Sequence, residues 1–267
     1  MIITKLTGGL GNQLFQYALG RHIAYIHNTD LKLDVSIYEN DPKRHYSLLP
    51  FNIKSIIAQT DEISNLNIVK EKAFSFDENI LKTPNDSYLD GYWQSEKYFK
   101  DILETIKKEI SLKDKFSDKI EKIAENIKNT SSISIHIRRG DYIKEAKTNA
   151  FHGTCSNEYY IKGVKKISES IENPTIFVFS DDIKWCQDNL SFSYPTIFIN
   201  ENNSIKDYEE IILMSLCKHN IIANSSFSWW GAWLNNNPKK IVIAPKRWFA
   251  NDKIDSSDII PLSWIKM

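Results

Sequence analysis

Hydrophobic and polar positions follow two different periods in the second half of the chain. Short apolar runs, such as 133–137 and 175–180, have the length of buried strands. Between them, apolar residues recur every three to four positions, which predicts amphipathic helices. The same pattern predicts strands at 195–199, 220–223 and 240–244, and helices at 113–128, 158–170, 183–190, 205–217 and 227–235. Alternating strands and helices indicate a parallel sheet covered by helices.

The first half of the chain gives a partial pattern. It predicts a strand at 1–6, a glycine-rich turn at 7–11, a helix at 12–27, a strand at 31–35 and a helix at 101–110. The stretch 39–83 alternates too weakly to predict any element, and 88–99 is rich in aromatic residues. We therefore predict two α/β domains that meet near residue 130, an N-terminal domain at 1–130 and a C-terminal domain at 131–267.

Composition excludes several classes of protein. The 267 residues contain 34 Lys+Arg and 34 Asp+Glu, so the formal net charge is zero, which argues against a nucleic-acid binder. The three cysteines lie far apart without zinc-site spacing, which favours reduced thiols in a cytoplasmic protein. No apolar run approaches the ~20 residues of a membrane span. The chain opens on a strand pattern instead of a signal peptide, so any membrane-borne substrate would be met at the inner face.

The most informative run is His136-Ile137-Arg138-Arg139-Gly140-Asp141, which directly follows a predicted buried strand. Ligands of open α/β sheets bind just beyond the carboxyl ends of the strands. Guanidinium groups are permanently charged and match phosphate oxygens with paired donors. The run therefore predicts a diphosphate site. The alternative is a structural ion pair between one of the arginines and Asp141.

Three further strand-to-helix junctions carry polar groups. Asp181 and Asp182 follow the predicted strand 175–180, where a carboxylate either binds a nucleoside or caps the next helix. Asn224-Ser225-Ser226-Phe227-Ser228 precedes a predicted helix, whose N-terminus attracts anions, although the serines also suit helix capping. The turn at 8–13 combines glycines with a helix start, but it lacks the dinucleotide and P-loop patterns. No Asp-x-Asp metal clamp occurs in the sequence.

Four motifs together resemble the bacterial α-1,2-fucosyltransferases of glycosyltransferase family 11. They are Gly8-Gly9-Leu10-Gly11-Asn12-Gln13-Leu14-Phe15-Gln16-Tyr17, Gly91-Tyr92-Trp93-Gln94-Ser95-Glu96-Lys97-Tyr98-Phe99, the run 136–142 and the run 224–233. They occur in the family's order and span nearly the whole chain. The HxRRxD run is shared with α-1,6- and protein O-fucosyltransferases, whereas the tryptophan-rich motifs narrow the resemblance to the α-1,2 group.

The resemblance implies a GT-B-like fold, with two Rossmann-like domains facing each other across a cleft. It further implies an inverting enzyme that moves L-fucose from GDP-β-L-fucose to the 2-hydroxyl of a β-galactoside, without a metal or other cofactor. Arg138, supported by Arg139, would neutralise the departing GDP, and His136 and Asp181 would bind the guanine. The other implied donor-binding residues are Gly9, Gly11, Asn12, Asn224, Ser225, Ser226, Phe227 and Ser228.

The acceptor side stays open at this point. Asp141 is the first candidate for a general base, or it orients the arginines, and Glu96 and His152 are the next candidates; a dissociative reaction needs little base assistance. Tyr92, Trp93 and Trp230 are candidates for stacking on sugar rings, with core packing as the alternative. The family implies a surface-glycan acceptor such as O-antigen, for which a lipid-linked oligosaccharide is one form. The competing hypothesis is a protein that binds a sugar nucleotide or glycan without catalysis.

Overall fold

The computed structural model describes residues 1–140, 146–199 and 204–267. The chain divides into two units: an N-terminal unit of residues 1–114 with 255–261, and a C-terminal unit of residues 115–254 with 262–267. Each unit contains one sheet of parallel strands. None of the helices in the described ranges is long and apolar enough to cross a bilayer.

The N-terminal unit is a five-stranded parallel sheet with the strand order β3-β2-β1-β5-β4. Its elements are β1 Ile2–Lys5, α1 Leu10–Ile26, β2 Leu31–Asp34, β3 Ile56–Ile57, β4 Asn67–Lys70, β5 Ser87–Asp90 and α2 Leu103–Glu109. Helix α1 is buried over most of its surface, so its polar residues are engaged inside the unit. The hydroxyl of Tyr17 donates to Glu109 Oε2 at 2.6 Å, and Arg21 pairs with the same carboxylate, which ties α1 to α2.

The C-terminal unit is a six-stranded parallel sheet with the strand order β11-β10-β9-β6-β7-β8. Its strands are β6 Ser131–Ile137, β7 Pro174–Ser180, β8 Thr196–Phe198, β9 His219–Ile221, β10 Val242–Ala244 and β11 Ile265–Lys266. Its helices are α3 Asp118–Lys128, α4 Ala146–His152, α5 Asn157–Ser168, α6 Ile183–Asn189, α7 Asp207–Leu216 and α8 Ser226–Trp233. Apolar residues of β6, β7 and β9 form its core with α5 and α6.

The boundary between the units lies at residues 114 and 115, earlier than the junction predicted near residue 130. Helix α3 packs on β6 and α7 through Ile120, Ala124 and Ile127, so it belongs to the C-terminal unit. The amphipathic pattern correctly identified this helix, but a pattern does not state which sheet its apolar face covers. The segment 255–261 returns to the N-terminal unit, where Ser95 and Lys97 contact Asp258.

The elements that the sequence pattern missed are short or lie at sheet edges. In strand β3, Ile56 and Ile57 are both exposed. In strand β4, three of the four residues are exposed, so neither strand shows the apolar run of a buried strand. Strand β11 has two exposed residues, and α4 has seven residues in all. The buried strand β5 lies at the start of the aromatic-rich stretch, where its short length hid it.

The order of the C-terminal strands creates a topological switch point. From β6 the chain proceeds to β7 and β8 on one side, then returns to the other side of β6 with β9, β10 and β11. Strands β6 and β9 are therefore neighbours whose connections diverge. Ligands of open α/β sheets bind at the carboxyl ends of such a strand pair. The segments 138–140 and 224–228 follow these two strands, so the topology places both predicted phosphate-binding segments at the switch point.

Candidate functional site

Arg138 is held at the end of β6 by the carboxylate that follows β7. Its Nη1 lies 3.0 Å from Asp181 Oδ2, and the backbone N–H of Arg139 donates to Asp181 Oδ1 at 2.9 Å. The Arg138 and Asp181 side chains are each about one-fifth to one-quarter exposed, so the pair is reachable from solvent. Both oxygens of Asp181 thus contact the arginine segment.

Gly140 is required by the close approach of Asp181. A Cβ atom at Gly140 would lie 2.6 Å from Asp181 Oδ2, which is closer than real Cβ atoms approach an oxygen. A side chain at this position would push the carboxylate away from Arg138. The glycine of the HxRRxD run therefore serves the geometry of the ion pair.

Arg139 lies against a different set of groups. Its guanidinium carbon lies 3.4 Å from the ring centre of Trp185, and its Nε lies 3.7 Å from Asp182 Oδ2. Asp182 also caps α6 by accepting the backbone N–H of Trp185. The prediction that one of the two aspartates caps the helix is thus confirmed for Asp182. Arg139 thus contacts Trp185 and Asp182, whereas Arg138 directly follows β6 at the switch point and pairs with Asp181.

His136 lies near the carboxyl end of β6, beside the same site. It is 3% exposed, its ring centre lies 5.2 Å from that of Phe227, and its Nδ1 has no hydrogen-bond partner among the described residues. Burial, opposed by the Asp181 charge and assisted by the Arg138 charge, lowers the pKa of His136 to about 3. The imidazole is therefore neutral at physiological pH, and its buried Nδ1 is not hydrogen-bonded to a described protein group.

Glu210 is a site residue that the sequence reasoning missed. This carboxyl on α7 is 9% exposed and interacts electrostatically with Asp181, Asp207 and Arg138. Burial, followed by repulsion from Asp181 and Asp207, raises the pKa of Glu210 to about 8. Raised carboxyl pKa values are concentrated at functional sites. A signal existed in the sequence: the acid stands immediately before Ile211, on the helix face that the apolar pattern buries.

The residues at the start of α8 differ in how deeply they are buried. Ser225 is the N-cap, and its side chain makes no capping hydrogen bond, while Ser226 and Phe227 are half-buried. Ser228 is 1% exposed, and its hydroxyl donates to the carbonyls of Ala223 and Ser225, each at 3.1 Å. The Ser228 hydroxyl therefore stabilises the turn, and donor binding through the Ser228 backbone N–H stays a prediction.

Asn224 is also occupied by the protein itself. Its Nδ2 donates to the carbonyls of His152 at 2.8 Å and Trp248 at 3.1 Å, and its side chain is buried. It fastens two loops to the end of β9 beneath the start of α8. The Asn224 amide thus holds the neighbouring loops together, and its role in donor binding stays a prediction.

The glycine-rich turn lies in the N-terminal unit at the start of α1. Gly8 has a φ of +77°, and a Cβ there would lie 2.5 Å from Asn12 Nδ2, so glycine is needed. Gly9 is the N-cap of α1, Gly11 lies in its first turn, and Asn12 Oδ1 accepts from Gln94 at 2.9 Å. This contact joins the first and second motifs of the family pattern within one unit.

Two buried glutamines of α1 hold the same turn, and both were missed as positioning residues. Gln13 donates to the carbonyls of Gly8 and His45 and accepts from Ser47 N–H. Gln16 accepts the N–H of Thr7 and donates to the carbonyl of Gly91. Polar side chains on a buried helix face carried the signal, because buried amides need partners.

The acceptor candidates separate by burial. Trp93 and Trp230 are fully buried, which favours the alternative of core packing over stacking on a sugar. Trp230 packs edge-on against Trp229 and Trp233. Tyr92 and Glu96 are half-buried in the N-terminal unit, and Tyr92 stacks on Phe74 at 6.3 Å between ring centres. These two stay candidates.

His152 and Asp141 complete the set of predicted residues. His152 is half-buried at the end of α4 and packs edge-on against Phe151, in the C-terminal unit. Asp141 lies outside the described residues. In the described ranges no group of three His, Cys, Asp or Glu side chains could hold a metal ion. Metal-independent action stays a prediction.

Comparisons with known proteins agree with the motifs. A family model described as Glycosyl transferase family 11 matches residues 1–267. The chain is 33% identical to an alpha-1,2-colitosyltransferase of Escherichia coli, over 100% of this chain and 99% of the relative. It is 32% identical to the O-antigen biosynthesis glycosyltransferase WbnK of Escherichia coli, over 98% of this chain and 99% of that one.

The fold resembles a solved fucosyltransferase structure. The crystal structure of NodZ alpha-1,6-fucosyltransferase soaked with GDP-fucose matches with a TM-score of 0.56 at 12% identity, covering 91% of this chain and 94% of NodZ. This likeness, with the two parallel sheets, confirms the α/β, GT-B-like fold class. The family model spans every residue of the chain and the bacterial relatives match over their whole length, so the chain belongs to glycosyl transferase family 11.

Proposed function

We propose that this glycosyltransferase moves L-fucose from GDP-β-L-fucose to the 2-hydroxyl of a terminal β-galactoside, with inversion at the anomeric carbon. The observation that carries the proposal is Arg138, which Asp181 holds at the switch point of the C-terminal sheet beside the start of α8. NodZ, which has the same fold, was soaked with GDP-fucose, and this supports a sugar nucleotide as donor. The alpha-1,2-colitosyltransferase supports the 1,2 linkage.

The reaction breaks the bond between the fucose anomeric carbon and the β-phosphate oxygen, and forms a bond from that carbon to the acceptor oxygen. Negative charge grows on GDP as its bond breaks. A cation fixed in place beforehand stabilises this charge more in the transition state than in the ground state. Arg138 supplies that cation, and backbone N–H groups at Ser226 and Phe227 add donors at a helix N-terminus.

Guanine recognition falls to His136 and Glu210 in this proposal. Asp181 was predicted for this task, but both its oxygens already contact the arginine segment. Glu210 carries a proton in the free protein at neutral pH, so guanine binding would have to release that proton. The ionised carboxylate would then accept the two adjacent N–H donors of guanine, which neither uracil nor adenine presents together. The neutral imidazole of His136 supplies a further polar edge.

The acceptor hydroxyl must lose its proton as its oxygen forms the new bond to the anomeric carbon. Asp141 stays our first candidate for the base, with Glu96 and His152 next, or the departing phosphate takes the proton in a dissociative reaction. Arg138 replaces a divalent cation as the counter-charge for GDP, so we propose that transfer needs no metal. The name of WbnK supports a surface-glycan acceptor, which includes a lipid-linked oligosaccharide met at the inner face of the membrane.

A second candidate differs only in the sugar transferred. The alpha-1,2-colitosyltransferase covers this entire chain at 33% identity, so colitose is the alternative to fucose. Purified protein is incubated with lactose or N-acetyllactosamine and GDP-fucose, and in parallel with GDP-colitose. Acceptor-dependent GDP release with an α-1,2 linkage by NMR supports the proposal for whichever donor is faster. Donor binding without acceptor-dependent release would favour the non-catalytic hypothesis.

A further inference from the structure

A cavity of about 440 Å³ lies at the carboxyl ends of β9, β10 and β11 in the C-terminal unit. Its walls come from the loop after α4, the first turn of α5 and the segment that follows β10. The lining residues that matter here are His152, Cys155, Tyr159, Lys246, Arg247 and Phe249. Its volume lies in the ~300–1,000 Å³ range of small-molecule sites. Asn224 and the candidate base His152 lie in its wall, whereas Arg138, Asp181 and Ser226 are not among its described lining residues.

Two polar side chains of the cavity, Tyr159 and Cys155, hydrogen-bond to the protein itself. The Tyr159 hydroxyl donates to the carbonyl of Ile222 at 2.8 Å, so the tyrosine presents its ring to the cavity. The Cys155 thiol donates to Asn224 Oδ1 at 3.7 Å, and burial raises the pKa of Cys155 to about 11, which keeps it neutral. A hydroxyl-rich sugar ring in the interior would lose hydrogen bonds to water without replacing them. An apolar group loses nothing and covers the rings of Tyr159 and Phe249.

The rim of the same cavity is cationic. Lys246 and Arg247 are consecutive and exposed, and neither Asp nor Glu occurs among the described residues that line the cavity. Arg247 pairs with Asp252 at 2.8 Å, but both side chains are more than 60% exposed, so this pair is weak and exchangeable. Two adjacent cations beside an apolar interior fit a ligand with an anionic group at one end.

We propose that this cavity binds a phosphate ester of an apolar chain, of the isoprenoid or acyl class. The phosphate would lie against Lys246 and Arg247, and the chain would lie between Tyr159 and Phe249. The inference does not depend on the identity of the sugar donor. A membrane-borne lipid phosphate and a free phosphate ester share this chemistry, and the experiment separates them.

The test titrates geranyl phosphate into the full-length chain by calorimetry. We expect one site per chain, with geraniol and inorganic phosphate each binding at least about tenfold more weakly, because each lacks one of the two contacts. Lys246→Met with Arg247→Met should weaken binding by about tenfold or more. The matched control is Lys165→Met with Lys166→Met, which removes two exposed lysines of α5 that do not line the cavity.

Further variants separate this cavity from the arginine pair. Ala250→Trp, which fills the cavity, should abolish binding while GDP still raises the melting temperature, whereas Arg138→Ala should leave geranyl phosphate binding unchanged. Absence of binding, loss in Arg138→Ala instead of the cavity variants, or tighter binding of lactose than of geranyl phosphate would each overturn the proposal. Co-sedimentation with phosphatidylcholine vesicles containing a long-chain polyprenyl phosphate identifies a membrane source, and binding to geranyl phosphate alone identifies a soluble one.

Discussion

One carboxylate and one glycine fix the position of the Arg138 side chain. Asp181 engages the guanidinium and the next backbone N–H together, and Gly140 leaves room for that carboxylate. A flexible arginine would have to lose rotamer freedom when the donor binds, which costs about 0.5–1.5 kcal/mol for one side chain. Here the charge is ordered before the donor arrives.

Removing this charge should remove most of the activity. Arg138→Ala should lower kcat by ~10²–10³ while the fold persists, because one charge-stabilising contact in the transition state is lost. Steady-state kinetics with circular dichroism measure both quantities. Lys166→Ala is the control, since it deletes an exposed cation of the same unit that lies outside both the donor site and the cavity. Near-normal turnover in Arg138→Ala would contradict the phosphate role.

Glu210 makes stability depend on pH in a predictable direction. Its pKa is about 8 in the folded protein and 4.5 as the ordinary value, so the folded state keeps a proton that the unfolded state releases between these pH values. The free energy of unfolding therefore falls as pH rises through this window. Urea unfolding from pH 6.5 to 8, above the range in which His136 contributes, should show this decline in the parent chain and a flatter profile in Glu210→Gln. Parallel profiles would refute the buried-acid assignment.

The neutral His136 acts in the opposite direction at lower pH. Its pKa falls from 6.5 to about 3 on folding, so the unfolded chain binds a proton that the folded chain does not. Stability is fully present above pH 6.5 and decreases as pH falls toward 3. His136→Gln should remove part of this acid sensitivity, as read from melting temperatures between pH 4 and 7. An unchanged acid profile would show that other groups cause it.

At the scale of elements, the start of α8 separates support from ligand contact. Asn224→Ala removes a buried amide that bonds two carbonyls and should lower the free energy of unfolding by about 1–3 kcal/mol. Ser226→Ala, at a half-buried position, should leave stability within about 0.5 kcal/mol and weaken GDP binding instead. Denaturant unfolding and calorimetry distinguish the two variants. A stability loss in Ser226→Ala equal to that in Asn224→Ala would contradict this division.

The pattern of apolar residues predicted elements in proportion to their burial. Helices α1, α5, α6, α7 and α8 and strands β1, β6 and β7 lie within a few residues of their predicted positions, because buried faces impose a periodicity on the sequence. Edge strands β3, β4 and β11 impose none. Helix α3 was predicted correctly as an element, yet its assignment to the C-terminal unit depends on which sheet its apolar face covers.

At the scale of the whole molecule, the donor should reveal itself through the stability of the complete chain. GDP should raise the melting temperature more than UDP or ADP at equal concentration, because a ligand that binds only the folded state stabilises it in proportion to its affinity. Differential scanning fluorimetry measures the three melting-temperature shifts. The Glu210→Gln variant should show a smaller difference between the shift for GDP and those for UDP and ADP. Equal shifts for the three nucleotides would contradict guanine recognition.

Transfer activity should persist in EDTA, and a reversible loss would reveal a metal requirement.

The sequence by itself determined the α/β class, the four motifs and the arginine pair, because buried strands and charged residues at their ends leave local signatures. Only the tertiary structure decided which neighbours those residues meet. It gave Asp181 to the arginines, placed Trp93, Trp230 and Ser228 inside the protein and brought Glu210 to the site. Burial and pairing depend on contacts between segments far apart in the chain, and no local pattern of residues encodes such contacts.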